Sequence, residues 1–128
     1  MIYKDLIEEG VPMIMVSHVS MPGVIGDNTP ASLSEVIMTD ILRGELGFEG
    51  VIITDYFNKG AITKYYKHAD APVMAVKAGA DMIAVPADFK KAYDGLLGAV
   101  QRGDIDEKRI DESVRRILRM KYKDMMED

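Results

Sequence analysis

The chain has 128 residues, enough for one domain with a real core, and its 48% hydrophobic and 29% charged residues suit a folded, soluble one. A net charge of −5, a pI near 5.0 and no basic stripe argue against a nucleic-acid partner, and no stretch reaches the ~18 apolar residues of a membrane span or has the shape of a signal peptide. Zero cysteines exclude disulfides, thiol nucleophiles and cysteine metal sites, and two histidines far apart, His18 and His68, give no reason to expect a metal or a cofactor.

Ile2 to Glu9 reads as the last turns of a helix that Gly10 stops in the left-handed conformation. Such a start, without a cap, suggests that more of the fold precedes it. Val11 to Val19 reads as a strand with Pro12 tolerated at its beginning. Residues 20–31 form a loop rich in glycine, proline, aspartate and asparagine. Ser32-Leu33-Ser34-Glu35 has the spacing of a capping box for a helix running to about Leu46, which Gly47 ends. Gly50-Val51-Ile52-Ile53-Thr54-Asp55 is the centre of the chain. Its run of apolar and β-branched residues suits a strand covered on both faces, as in a parallel sheet, with a carboxylate at its carboxyl end.

Tyr56 to Tyr66 reads as loop with a short helical turn, and Ala71 to Ala78 as a third helix with Pro72 in its first turn. Asp81 to Pro86 is expected to be a third strand. Phe89, Ala92, Tyr93, Leu96, Leu97 and Val100 recur at helical spacing, and Asp88 is placed to cap them. Asp104 and Glu107 are candidate caps for a last helix, whose buried face is expected to be Ile110, Val114, Ile117 and Leu118. Its arginines 115, 116 and 119 are expected on a solvated face, and residues 125–128 are expected to fray.

Helices alternating with three strands imply a parallel α/β sheet. Three such strands form a poor sheet alone, whereas a closed barrel has eight in about 250 residues. The expected fold is therefore a partial (β/α)8 TIM barrel, about three parallel strands with flanking helices, and residues 1–128 form its C-terminal portion. Bare sheet edges then predict self-association, or pairing with a missing N-terminal part of the barrel. In such folds chemistry gathers at the carboxyl ends of the strands. That places Asp55 as either a working carboxylate or a cap of the next turn. Asp81, at a strand start, is expected to be structural.

Several segments together resemble the catalytic barrel of glycoside hydrolase family 3: residues 15–19, Pro30-Ala31-Ser32-Leu33-Ser34, residues 42–55 from Leu42-Arg43-Gly44 to Thr54-Asp55, residues 78–82 and residues 109–118. Within the family the chain looks nearest to bacterial β-N-acetylglucosaminidases. The resemblance implies a retaining glycosidase with Asp55 as nucleophile and a carbohydrate substrate, terminal β-N-acetylglucosamine. It also implies that the acid/base, an aspartate–histidine pair, and a sugar-binding lysine–histidine pair lie on earlier strands. The isolated chain is then expected to be inactive. Two positions depart from the family pattern: Tyr56 stands where a second aspartate is usual, and Lys59 where methionine is common.

His18 ends the first strand on the same rim and is a candidate to hydrogen-bond a sugar hydroxyl. Its alternative role is to tie down the 20–31 loop. Asp88 is a minor candidate for a second carboxylate, and Lys59, Lys77 and His68 are expected to be solvated. Two other functions compete: a non-catalytic self-associating half-barrel, and a phosphoacceptor signalling domain. The latter fits poorly, because Ser17-His18 stands where such a domain needs paired carboxylates.

Overall fold

A computed structural model of the protein describes residues 2–126. Helix α1 (Ile2–Glu8) is followed by strand β1 (Met13–Val16), a helical turn α2 (Pro22–Ile25) and a 3-10 turn (Ala31–Leu33). A π-helix (Val36–Glu45) leads to strand β2 (Val51–Thr54). Then come a short α3 (Gly60–Thr63), α4 (Asp70–Ala78), α5 (Phe89–Gln101), α6 (Glu107–Lys121) and a last turn α7 (Lys123–Met126). No described helix is long and apolar enough to cross a membrane. Of the residues expected to fray, Met125 lies in α7, and Glu127 and Asp128 lie outside the described residues.

β1 and β2 pair in parallel, Met13 with Val51 through Val16 with Thr54. Val51, Ile52 and Thr54 are fully buried, as a strand covered on both faces should be. β1 is shorter than its apolar run, and Met15 and Val19 remain about half exposed along it.

The expected third strand is a correction. Residues 81–84 do run beside β2, with Asp81 N–H and Met82 N–H donating to Ile52 O and Thr54 N–H donating to Met82 O. But only Ile53 and Met82 form a parallel bridge. At the next step the Thr54 hydroxyl, not a backbone carbonyl, accepts Ala84 N–H at 3.1 Å. Val85 then turns to φ 41°, a strained value for a β-branched residue, and the segment leaves the sheet. The described residues therefore hold two regular parallel strands and an irregular third segment.

The main core joins Val16, Met38, Leu42, Phe48, Ile52 and Phe57, and α4 adds a run of alanines, Ala71, Ala75 and Ala78. A second cluster, Val76, Ala99 and Ile105, joins α4 to α5 and to the approach to α6. The capping box does not form as its spacing suggests. Ser34, not Ser32, caps the π-helix, accepting Ile37 N–H at 3.4 Å, while Ser32 is buried and turned toward His18. Asp106, not Asp104, caps α6 through Lys108 N–H. Asp104 instead pairs with Arg102.

α6 turns inward only part of the face its apolar spacing predicts: Ile110 packs on the second cluster and Ile117 is partly buried, but the other two positions are not covered. Val114 and Leu118 are more than 40% exposed, while Ser113 is buried and Arg109 and Arg116 are half-buried. The cause is Asp81, whose side chain is wholly buried and needs positive partners. Arg43 of the π-helix reaches it at 2.6 Å and Arg116 at 3.0 Å. Ser113 donates to it at 2.7 Å, and Arg109 stands 3.8 Å away. Arg116 thus leaves the solvated face expected for it. Asp81 has the structural role its position implied.

Two glycines of α5 give opposite expectations. A Cβ at Gly95 would stand 2.5 Å from the Ala69 carbonyl oxygen, whereas one at Gly98 would meet only the movable end of Arg102. Alanine in a helix interior is worth about 0.5–1 kcal/mol over glycine, and overpacking against fixed atoms costs about 1–3 kcal/mol. Gly98→Ala should therefore raise the urea midpoint and Gly95→Ala should lower it. A stabilised Gly95→Ala protein would mean that α5 does not press on Ala69 as the structure shows.

Candidate functional site

The carboxyl end of β2 carries the candidate site. Thr54 anchors it in the core, and Asp55 N–H donates to Val16 O at 2.9 Å, tying the position to the end of β1. The loop that follows is fastened on its other side, where Phe57 N–H donates to Ala84 O and Asn58 N–H to Val85 O. Asp55 is thus held between β1 and the third segment with its side chain turned to the rim, 20% exposed.

The carboxylate has two partners. Oδ1 accepts the Tyr56 N–H at 2.7 Å. The Lys59 ammonium donates to Oδ2 at 2.7 Å and to Oδ1 at 3.0 Å. These bonds, the lysine's first and the Tyr56 N–H second, hold the Asp55 carboxyl below the usual carboxylate range, with burial opposing them. Asp55 is therefore ionised at neutral pH. A half-exposed ion pair of this kind adds only about 0.2–1 kcal/mol to stability. What little it adds is present above the ordinary carboxylate value of 3.8 and is lost as pH falls through the lowered folded-state value.

His18 lies at the end of β1 and packs its ring against Phe57, with centroids 5.5 Å apart. Its Nε2 is 2.9 Å from Tyr56 O, a group that only accepts, so that nitrogen carries a proton. In the neutral ring Nδ1 then accepts from the Ser32 hydroxyl at 2.7 Å. Both nitrogens are engaged inside the protein, and a bond to a sugar hydroxyl would require one of these to be exchanged. A cleft of 620 Å³ opens on the other side of His18, lined by residues 27–30 and by Ala61, Tyr65 and Tyr66. Asp55 is not among its lining residues.

The structure brings Asp55, His18 and Lys59 to one rim. Sequence reasoning expected Lys59 to be solvated; its side chain is 51% exposed, and the ion pair its ammonium makes with Asp55 is what that reading missed. The signal was the opposite charge four residues on, held in reach by the turn at 56–59. Asp88 caps α5 by accepting Lys91 N–H at 3.0 Å, as its position predicts. His68 and Lys77 are exposed. Among the described residues no three of histidine, aspartate and glutamate gather as a metal site would require. Chemically, the rim offers one ionised carboxylate, fixed in orientation and reachable from solvent. Such a group can attack an electrophilic carbon or pair with a cation.

Residues 1–120 match the glycosyl hydrolase family 3 N-terminal domain. The solved structure of a family 3 β-N-acetylglucosaminidase from Paenibacillus sp. superposes with a TM-score of 0.91 at 41% identity, over 98% of this chain and 24% of that one. A β-hexosaminidase of Chromobacterium violaceum is 41% identical over 102 residues, 77% of this chain and 27% of that protein. The β-N-acetylglucosaminidase/β-glucosidase of Cellulomonas fimi is 28% identical over 94% of this chain and 23% of its own length. The chain spans about a quarter of each of these relatives. With nearly its whole length matched, the chain belongs to glycoside hydrolase family 3.

Proposed function

We propose that these residues form the C-terminal part of a family 3 barrel, whose complete enzyme removes terminal β-N-acetylglucosamine with retention. Asp55 is the nucleophile. The observation that carries this reading is the ionised, rim-facing carboxylate at the end of β2, in a chain matched to the family over residues 1–120. In the first step an Asp55 oxygen bonds to the anomeric carbon while the bond to the leaving oxygen breaks. The leaving oxygen takes the electron pair and a proton from an acid group. In the second step water attacks the same carbon, gives its proton to that group, and returns the electron pair to Asp55. The acid/base belongs to the part of the enzyme beyond these residues. His18 supports the site through Tyr56 and Ser32, on the wall of the adjoining cleft, rather than through a free nitrogen. The sugar is the one named for the Paenibacillus relative and one of the two named for the Cellulomonas relative.

One feature favours a second role alongside the first. The outer edge of β1 has no ladder partner among the described residues, and Met15 and Val19 are exposed beside it. We read that edge as the place where earlier barrel strands pair, or where a second copy pairs in their absence.

The test is a graft. These residues are put in place of the matching quarter of the Paenibacillus protein and assayed with a nitrophenyl N-acetylglucosaminide. The graft should turn over and this chain alone should not, because loss of an acid/base costs about 10²–10⁴-fold before any loss of binding. A graft that folds and is inert on this substrate and on nitrophenyl glucoside would favour the non-catalytic half-barrel.

A further inference from the structure

Lys59 exchanges no bond or proton in the two-step reaction, yet it is the nearest charge to the reacting group. Its ammonium bridges both oxygens of Asp55, at 2.7 and 3.0 Å. The two oxygens are not equivalent. Oδ1 also takes the Tyr56 N–H, whereas Oδ2 is bound by the lysine alone. The ammonium lies 5.6 Å from the centre of the Tyr56 ring, within the range of a cation–π contact, which gives it a second seat without leaving the rim. Among the described residues the titratable groups facing Asp55 are Lys59, from its own loop, and His18, from the end of β1.

On the reading of Asp55 as nucleophile, we propose that Lys59 is its positioning residue. It fixes the plane of the carboxylate, leaves Oδ2 as the attacking oxygen when it shifts toward Tyr56, and keeps the group ionised as the medium turns acid. The same ammonium meets the charge that returns to Oδ2 when the glycosyl ester is hydrolysed. The fold gains little from this pair, so the arrangement bears on the carboxylate rather than on stability. The physical cause is plain: an opposite charge within hydrogen-bonding distance favours the ionised form, and methionine at position 59 would not supply it.

The experiment reads the carboxyl group directly in this chain, without turnover. With ¹³C-carboxyl aspartate incorporated, the Asp55 resonance is assigned by its loss in Asp55→Asn and followed against pH. In Lys59→Met the titration midpoint should move to higher pH. In Lys59→Arg it should stay near that of the unsubstituted chain. Both variants should keep the thermal midpoint at neutral pH, since the side chain is half exposed. In the graft, the acid limb of kcat/KM should move upward in Lys59→Met and return in Lys59→Arg, a change that a merely structural lysine would not cause. An Asp55 midpoint unaltered by Lys59→Met overturns the proposal whatever the graft does. A raised midpoint in a graft that still works without the Asp55 carboxylate overturns the nucleophile instead, and with it the catalytic meaning of the clamp.

Discussion

Asp55→Ala in the active graft should lower kcat by roughly 10⁴–10⁶-fold, the scale on which hydrolases lose rate when the attacking group is removed. KM should change far less, because the carboxylate forms its bond only during the reaction. The loss should not come from unfolding. Asp55 is on the rim, its ion pair is partly solvated, and the main core beneath it runs through Ile52 and Phe57. A second readout separates a nucleophile from a group that only shapes the loop. With the carboxylate gone, azide can occupy its place and attack the anomeric carbon from the same side. The product is then the α-glycosyl azide, the inverse configuration of the substrate, and activated substrates regain turnover as azide is added. A structural aspartate would give no such product. An Asp55→Ala graft retaining a tenth of its rate would remove Asp55 from the chemistry.

Much of what places that carboxylate is legible locally. The run Val51–Thr54 is apolar without alternation, and β2 is buried on both faces. Gly10, Gly47, Gly79 and Gly103 take positive φ at the helix stops they mark. Asp88 accepts the N–H three residues on, as an N-cap does. These features depend on neighbours within four or five residues, which a sequence displays. Most of the errors involve partners that are distant or that substitute for the expected group. The third strand fails because a Thr54 hydroxyl takes a bond that a carbonyl would have taken. Ser32 does not cap the π-helix because His18, fourteen residues earlier, uses its hydroxyl. The inward face of α6 is misread at Val114 and Leu118 because periodicity scores apolar residues, while the demand of Asp81 selects Arg109, Ser113 and Arg116 at i, i+4 and i+7. The Lys59 ion pair is missed for the opposite reason. Its partner is near, but a lone charge in a loop ordinarily stays in water, and only the turn at residues 56–59 makes this one stay on Asp55.

Asp81→Ala should cost about 3–5 kcal/mol of stability, the penalty for removing one member of a buried charge network. The reason lies in what is left behind. Burial pulls the Arg43 and Arg109 guanidinium groups below their usual range, and the nearby Asp81 charge opposes that shift. Without the carboxylate, Arg43, Arg109 and Arg116 would face one another with only Glu112, which acts on Arg109, to offset their charge. Ile52 N–H and the Ser113 hydroxyl would also lose their acceptor. Domains of this size have only about 5–15 kcal/mol in total, so the loss is a large share of what holds the fold. Asp81→Asn preserves the shape and one acceptor oxygen but removes the charge. It should fall between the two, and the gap between Asn and Ala measures what geometry contributes apart from charge. Urea unfolding followed by circular dichroism reads both, with the slope unchanged if the transition remains two-state. An Asp81→Ala loss below about 0.5 kcal/mol, the scale of an ordinary surface change, would mean that the network does not hold the fold. The expected loss reaches the rim as well, because Asp81 fastens β2 at Ile52 while Asp55 stands three residues further on, just past the end of that strand. An unfastened β2 cannot hold its carboxylate in line for attack, so Asp81→Asn in the graft should lower kcat even at temperatures where the protein remains folded.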